Sequence, residues 1–222
     1  MSHITRVYIL CEGQTEEAFV KRLLMPHFQQ LNIWLIPIVI RTSSQSRGGV
    51  STYGKIKREI EKLCKTDKSS WVTTMLDFYG LPKDFPALDS KGDSLSRITA
   101  VEAAFQADIE QSNFIANIIR HEFEGLLFSE PSAFNGWYDS NIVSELTNIR
   151  NSFDTPEYIN DAPETAPSKR ILAICSNYQK VLHGSLISIA IGLDKIRQEC
   201  HFFDAWIRHL ESLAPQKTVD GD

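Results

Sequence analysis

Two apolar runs that each end on an acid constrain this chain most. RVYILC, Arg6 to Cys11, is β-branched, aromatic and apolar, and stops abruptly at Glu12-Gly13. WVTTMLDF, Trp71 to Phe78, is of the same kind and carries Asp77 at its end. Apolar runs of this length, closed by a polar turn, read as strands buried on both faces, which is the habit of parallel sheets covered by helices. In open sheets of that kind ligands bind just beyond the carboxyl ends of the strands. The chain is therefore expected to be α/β and to carry its chemistry at Glu12 and Asp77.

The segments between fit that frame. Thr15 precedes EEAFVKRLLMPHFQQL, where Phe19, Leu23 and Leu24 recur at helical spacing, Glu16 and Glu17 favour the first turn, and Pro26 is expected to bend or interrupt the helix. Trp34 to Thr42 is the second strand, with Pro37 marking an edge or a bulge. SSQSRGGVS reads as a loop, and Tyr53 to Lys65 as a helix with Ile56, Ile60 and Leu63 on one face. After the third strand a loop rich in Pro, Asp and Ser leads to a helix over about Ser96 to Gln111, then to a fourth strand, NFIANII, which runs into the acidic turn HEFEGLLF. The order β-α-β-α-β-α-β implies right-handed crossovers and a mainly parallel sheet. Past Pro131 the runs turn helical: IVSELTNIRNSF, KRILAICSNYQKVL and ISIAIGLDKIRQECHFFDAWIRHLESL. The expected layout is an α/β core over residues 1–130 and a helical subdomain over 131–222 packed on it.

Composition narrows the partners. Lys and Arg number 23 against 28 Asp and Glu, a formal net charge of -5, so the basic surplus of a stand-alone nucleic-acid binder is missing. Any attraction to nucleic acid must come from a local patch, bound metal or a partner protein. The four cysteines lie far apart, with no C-x-x-C pair to hold zinc, and fit a reducing cytoplasm. No run approaches the length of a membrane span, and the N-terminus is too short and polar in its apolar stretch for a signal peptide, so a soluble cytoplasmic protein is expected. There is no G-x-x-x-x-G-K-[ST] phosphate loop, and hence no sign that the chain is itself an NTPase.

Glu16 lies one helical turn beyond Glu12, a spacing that can bring both toward Asp77. Hard oxygen donors of this kind select Mg²⁺ or Mn²⁺; alternatively Glu16 caps its helix and Asp77 its loop. Glu122 and Glu124 would point to one side of an extended turn, as metal ligands or a general base, but would diverge in a helix, where they would complement its dipole. His121 beside them reads as a hydrogen-bonded structural residue more readily than as a base. Ser168, Lys169 and Arg170 follow Pro167 at a helix start, where backbone donors and two cations can grip phosphate or simply begin a helix. The Arg47-Gly48-Gly49 loop could approach phosphate in the same way, on a weaker signal. Phe202, Phe203 and Trp206, on one helix face, read as core or subunit contact rather than a base-stacking surface.

The runs CEGQTEEAFV, TMLDFYGLP and HEFEGLLF, with APSKRI and the C-terminal stretch, resemble a bacterial family of uncharacterised TOPRIM-like proteins, and the first motif is similar to that of OLD-family nucleases. The resemblance covers nearly the whole chain. It implies a TOPRIM-like sheet in which Glu12 is the first-strand acid, Glu16 the second acid of an E-G-x-x-E/D pattern and Asp77 the first Asp of a D-x-D, together holding Mg²⁺ for phosphoryl transfer. Tyr79 stands where that pattern has its second Asp, which leaves one metal, recruitment of Glu122 or Glu124, or lost catalysis as the alternatives. The resemblance further implies a nuclease acting on DNA first and RNA or tRNA second, a partner ATPase of the ABC class and a role in antiviral or foreign-DNA defence. The alternative is a non-catalytic module of such a complex. A homo-oligomer is compatible with the sequence.

Overall fold

The structure, a computed structural model, describes residues 4–40, 52–159 and 163–215. The chain runs β1 (Thr5–Cys11), α1 (Gln14–Phe19), a π-helical turn (Val20–Leu24), α2 (Met25–Gln29), β2 (Ile33–Val39), α3 (Tyr53–Thr66), β3 (Trp71–Asp77), α4 (Ser94–Ile109), β4 (Phe114–Ile115) and β5 (Ile118–Ile119). A 3-10 segment (Phe123–Ser129) follows, then α5 (Ser140–Asn151), α6 (Pro167–Ile174), a second π turn (Lys180–Gly184), α7 (Ser185–Ile191), α8 (Leu193–Glu199) and α9 (His201–Glu211).

All strand pairings among the described residues are parallel, in the order β2-β1-β3-β4, with β5 also on β3. The mainly parallel sheet flanked by helices, with further helices at the C-terminal end, is the fold expected from the sequence. β2 lies at the edge, where Pro37, opposite Ile9, costs no ladder bond on its open side. β1 and β3 are central. Thr73 and Thr74 would be awkward in a dry central strand, but the Trp206 indole N–H donates to Thr73 Oγ1 at 3.1 Å and the Thr74 hydroxyl donates to the Asn117 carbonyl at 2.6 Å. One face of the sheet packs on α3 and α4 through Ile56, Ile60, Val101 and Phe105. The other face packs on α1, the 3-10 segment and the C-terminal helices in one cluster that runs from Val7 to Leu210.

The structure corrects or decides several local expectations. Pro26 does not interrupt its helix: the missing N–H is absorbed by the π turn just before it, where the Met25 N–H reaches back to the Val20 carbonyl. The fourth strand is two two-residue pieces, because Asn117 between them turns in to bond Thr74 through its amide and its own N–H. Of the two readings of HEFEGLLF, extended turn or helix, the structure has the helical one from Phe123 onward. KRILAICSNYQKVL is broken after Ile174, and the last helical run is three helices, divided at Gly192, whose φ of 82° is costly for other residues, and at Cys200. The Arg47-Gly48-Gly49 loop lies outside the described residues.

Candidate metal centre

β1 and β3 are adjacent and parallel, so the residues at their carboxyl ends meet. The Asp77 N–H donates to Glu12 Oε2 at 3.1 Å, tying the two strand ends together through the first acid. Asp77 Oδ1 in turn accepts from the Phe123 N–H at 2.8 Å, which pins the start of the 3-10 segment over the sheet edge. Glu16 bends back to accept from the Gly13 N–H at 2.8 Å, so it is both a helix cap and a member of the cluster. Each of the three carboxylates uses one oxygen on a backbone donor. Gly80 is required here by close approach: a Cβ at that position would overlap both oxygens of Glu12.

His121 holds a left-handed backbone, φ 66°, and turns the chain from β5 into the 3-10 segment. That turn sends Glu122 and Glu124 to different partners. Glu122 Oε2 accepts from the Ser168 N–H at 2.9 Å, whereas Glu124, 1% exposed, accepts from Lys180 Nζ at 3.2 Å through Oε2 and keeps Oε1 buried without a hydrogen bond. The buried Tyr178 hydroxyl is the neighbour of Glu124, interacting with it through charge and hydrogen bonding, though among the described residues no partner stands in ideal hydrogen-bond geometry to it.

The electrostatics follow from this crowding. Burial raises the Glu12 carboxyl above its ordinary range, with backbone donation from Asp77 and the Lys180 charge pulling it back. Burial likewise raises Glu16, and then Glu12 adds to it. Asp77 is raised well above its ordinary range, by burial first and then by the charges of Glu12, Glu16 and Glu124. Glu124 is pushed up to about 6 by burial, with Lys180 opposing. Lys180 is the cation common to all of them: burial would lower its pKa, but Glu124, Glu122 and Asp77 raise it overall. His121 is pushed down to about 4 by burial and by Arg120, and its ring packs 5.6 Å from that of Tyr79, so it is a neutral packing residue near pH 7.

A family model matches residues 11–211, from the last residue of β1 to the last of α9, and so takes in every residue of this cluster. The chain belongs to that family, the domain of unknown function DUF4276. No curated protein matches it. The C-terminal region of the Burkholderia pseudomallei OLD protein is similar in chain path, with a TM-score of 0.46 at 14% identity over 96% of this chain and 100% of that one, which is too distant to carry a statement about function.

In this family member the sequence-nominated residues fall into two groups. Glu12, Glu16, Asp77 and Glu124 share one electrostatic environment, with Glu122 at its margin. Of the Ser168-Lys169-Arg170 run, Ser168 joins the margin through its N–H on Glu122, Lys169 is exposed on α6, and Arg170 donates to the Thr165 carbonyl and lies over Phe153. The Tyr79 N–H donates to the His121 carbonyl, and the Tyr79 ring packs with Phe78, His121 and the α3/α4 face. Lys180 and Tyr178 were not foreseen. The turn-forming Ser176-Asn177 within an otherwise helical pattern was the available signal, since the break there carries Lys180 to the sheet edge.

The donors fit a hard divalent cation. All are carboxylate oxygens, each anchored by a backbone donor, and their raised pKa values are those of acids for which a nearby cation would be favourable. Among the described residues no three His, Cys, Asp or Glu side chains form a ready-made cage, so holding an ion requires the free oxygens to turn toward one another.

Proposed function

We propose that the chain is a divalent-metal-dependent phosphodiester-cleaving subunit, with Glu12, Glu16 and Asp77 as the ligands of Mg²⁺ or Mn²⁺ and Glu124 as a further ligand or proton acceptor. The observation that carries this reading is the meeting of four desolvated carboxylates around one lysine at the carboxyl edge of a parallel sheet. A bound metal would supply Lewis acidity and neutralise phosphate charge. The protein's own part is separate. Lys180 offers its ammonium where negative charge develops on phosphorus oxygens. Glu124, near 6 and beside the buried Tyr178 hydroxyl, is poised to take or return a proton close to neutrality. Lys169 and Ser168 stand at the margin, where a more distant phosphate of the same strand would pass.

DNA is the first substrate proposed and RNA, including tRNA, the second. The net charge of -5 opposes tight binding by the chain alone, and supports a partner protein, proposed from the motif resemblance to be an ABC-class ATPase in an antiviral defence system. The test is cleavage of DNA and RNA panels with Mg²⁺ or Mn²⁺, with and without such an ATPase. Cleavage that requires metal and is lost in Glu12→Gln supports the reading; no cleavage under any of these conditions contradicts it. A second reading, a non-catalytic module that keeps the same shape, is favoured by one observation, Tyr79 standing where the motif has its second acid. Calorimetry with Mn²⁺ separates the two: stoichiometric binding supports the enzyme and absence of binding the module.

A further inference from the structure

One strand further out than Asp77, on the outer side of β4 and β5, lies a cavity of about 230 Å³ lined by none of the site carboxylates. For scale, an apolar cavity of roughly 150 Å³ accommodates benzene. Its walls include Ile118, the rings of Phe202 and Trp206, the His209 imidazole, and three charged residues, Arg120, Glu102 and Glu157.

Arg120 is the feature without an explanation. It is 8% exposed, yet of its five donors one nitrogen is used, Nη2 on Glu102 Oε2 at a long 3.4 Å, and both Nε and Nη1 are buried with no hydrogen-bond partner among the described residues. An orphaned buried guanidinium is costly for folding alone. Its cover is Phe202, whose ring lies 4.3 Å over the guanidinium and is 36% exposed. The carboxylates are already held: Glu102 Oε1 accepts from the Ile118 N–H at 2.9 Å, and Glu157 accepts from the N–H groups of Phe202 and Phe203 at 2.9 Å each. Each carboxylate oxygen still has lone-pair capacity for one more donor.

The charge count decides the ligand class. Two carboxylates beside one guanidinium and the His209 imidazole leave the walls no positive surplus for a phosphate or a carboxylate, whereas a neutral planar group gains from the donors and the acceptors alike. We propose that this cavity is a pocket for an unpaired purine base of a nucleic-acid strand, guanine in preference. Guanine offers acceptors, O6 and N7, to Arg120, and donors, N1–H and N2–H₂, to the carboxylates. One face stacks on the ring of Phe202, with Trp206 forming part of the pocket wall. Only Phe202 of the C-terminal aromatics is free to serve in this way by moving, since Phe203 and Trp206 are 3% and 5% exposed. The assignment takes the strand to be the substrate and so rests on the phosphodiester reading, but its test does not use cleavage.

Saturation-transfer NMR of the full chain with guanosine, cytidine and inorganic phosphate reads the pocket directly. Guanosine is expected to give transfer that cytidine gives weakly and that 10-fold excess phosphate does not displace. Phe202→Ala, at an exposed position, is expected to weaken guanosine by about tenfold or more, and Arg120→Gln to abolish it, with circular dichroism verifying that the latter folds. A single-stranded oligonucleotide with one guanine should bind more tightly than the same strand carrying an abasic residue there, which places the base in a strand rather than in a free nucleoside. Absence of guanosine transfer, displacement by phosphate, equal binding of the abasic strand, or an unchanged Phe202→Ala would each overturn the proposal. Guanosine binding without any cleavage would leave the pocket standing and count against the phosphodiester reading alone.

Discussion

At the ends of α8 and α9, Arg197 donates to Asp204 at 2.6 Å and to both oxygens of Glu211 at 2.6 and 3.1 Å, while Glu211 also meets His27 at 2.6 Å. Nearby, Glu199 is shared by Lys195 and Arg150. At the carboxyl edge of the sheet, Lys180 stands against Asp77, Glu122 and Glu124, with Glu12 and Glu16 behind them. The same residue types titrate in opposite directions in the two regions. Glu199 is held below its ordinary range, by Lys195 above all, and Glu211 is held down by Arg197 and His27 against the pull of its burial. Glu12, Glu16 and Asp77 are driven up. Matched, partly exposed charges contribute to folding. Unmatched, buried acids cost folding energy and are found where charge is put to use.

The largest effect that sharpens this contrast is expected at Lys180. Lys180→Ala should lower metal-dependent cleavage about a hundredfold or more, the scale of losing one electrostatic donor at developing charge, while Lys169→Ala on the exposed start of α6 should cost less. Comparable losses in the two variants would erase the distinction between the cluster and its margin.

Next in size is the belt. Arg197→Ala removes donors to two carboxylates and should cost about 1–2 kcal/mol of stability, a shift of a few degrees in melting temperature for a chain of this length, with the response to Mn²⁺ intact. A lost metal response in that variant would show that the two regions are not independent.

Smaller still is a pH effect. A carboxyl raised to about 6 when folded from about 4.3 when unfolded contributes stability that is fully present below the lower value and is lost as pH rises through the higher. Glu124→Gln removes that loss, so its stability relative to wild type should rise between pH 5 and pH 7.5 by on the order of 1 kcal/mol, read as a rise in its relative melting temperature. His121, pushed down to about 4, acts with the opposite sign in both proteins and cancels in the difference. A gap that does not change with pH would mean that Glu124 ionises freely in the folded state.

The sheet edge was legible from sequence because its signal is local: two apolar runs ending in acids, with Glu16 one turn beyond the first. The helices Tyr53–Thr66 and Ser94–Ile109 were legible for the same reason, through their apolar spacing. What sequence reasoning missed depends on contacts far apart in the chain. Asn117 splits a strand because Thr74 is there to receive it. Lys180 reaches Glu124 across 56 positions because a helix that reads as continuous breaks before it. Arg120 attracts no notice beside His121 and Glu122 until Phe202 is found lying over it.

The central claim is that Glu12, Glu16 and Asp77 share one divalent cation, and Asp77→Asn tests it most directly. Asparagine keeps the oxygen that accepts from the Phe123 N–H but removes a buried acid whose ionised form faces Glu12, Glu16 and Glu124. In EDTA at neutral pH the variant should melt at or above the wild-type temperature, since it relieves repulsion among buried acids. Millimolar Mn²⁺ should stabilise wild type by about 2.7 kcal/mol if it stands at a hundred times Kd, and should stabilise the variant far less. A variant that is markedly less stable in EDTA, and that gains as much from Mn²⁺ as wild type does, would make Asp77 a structural cap and contradict the site.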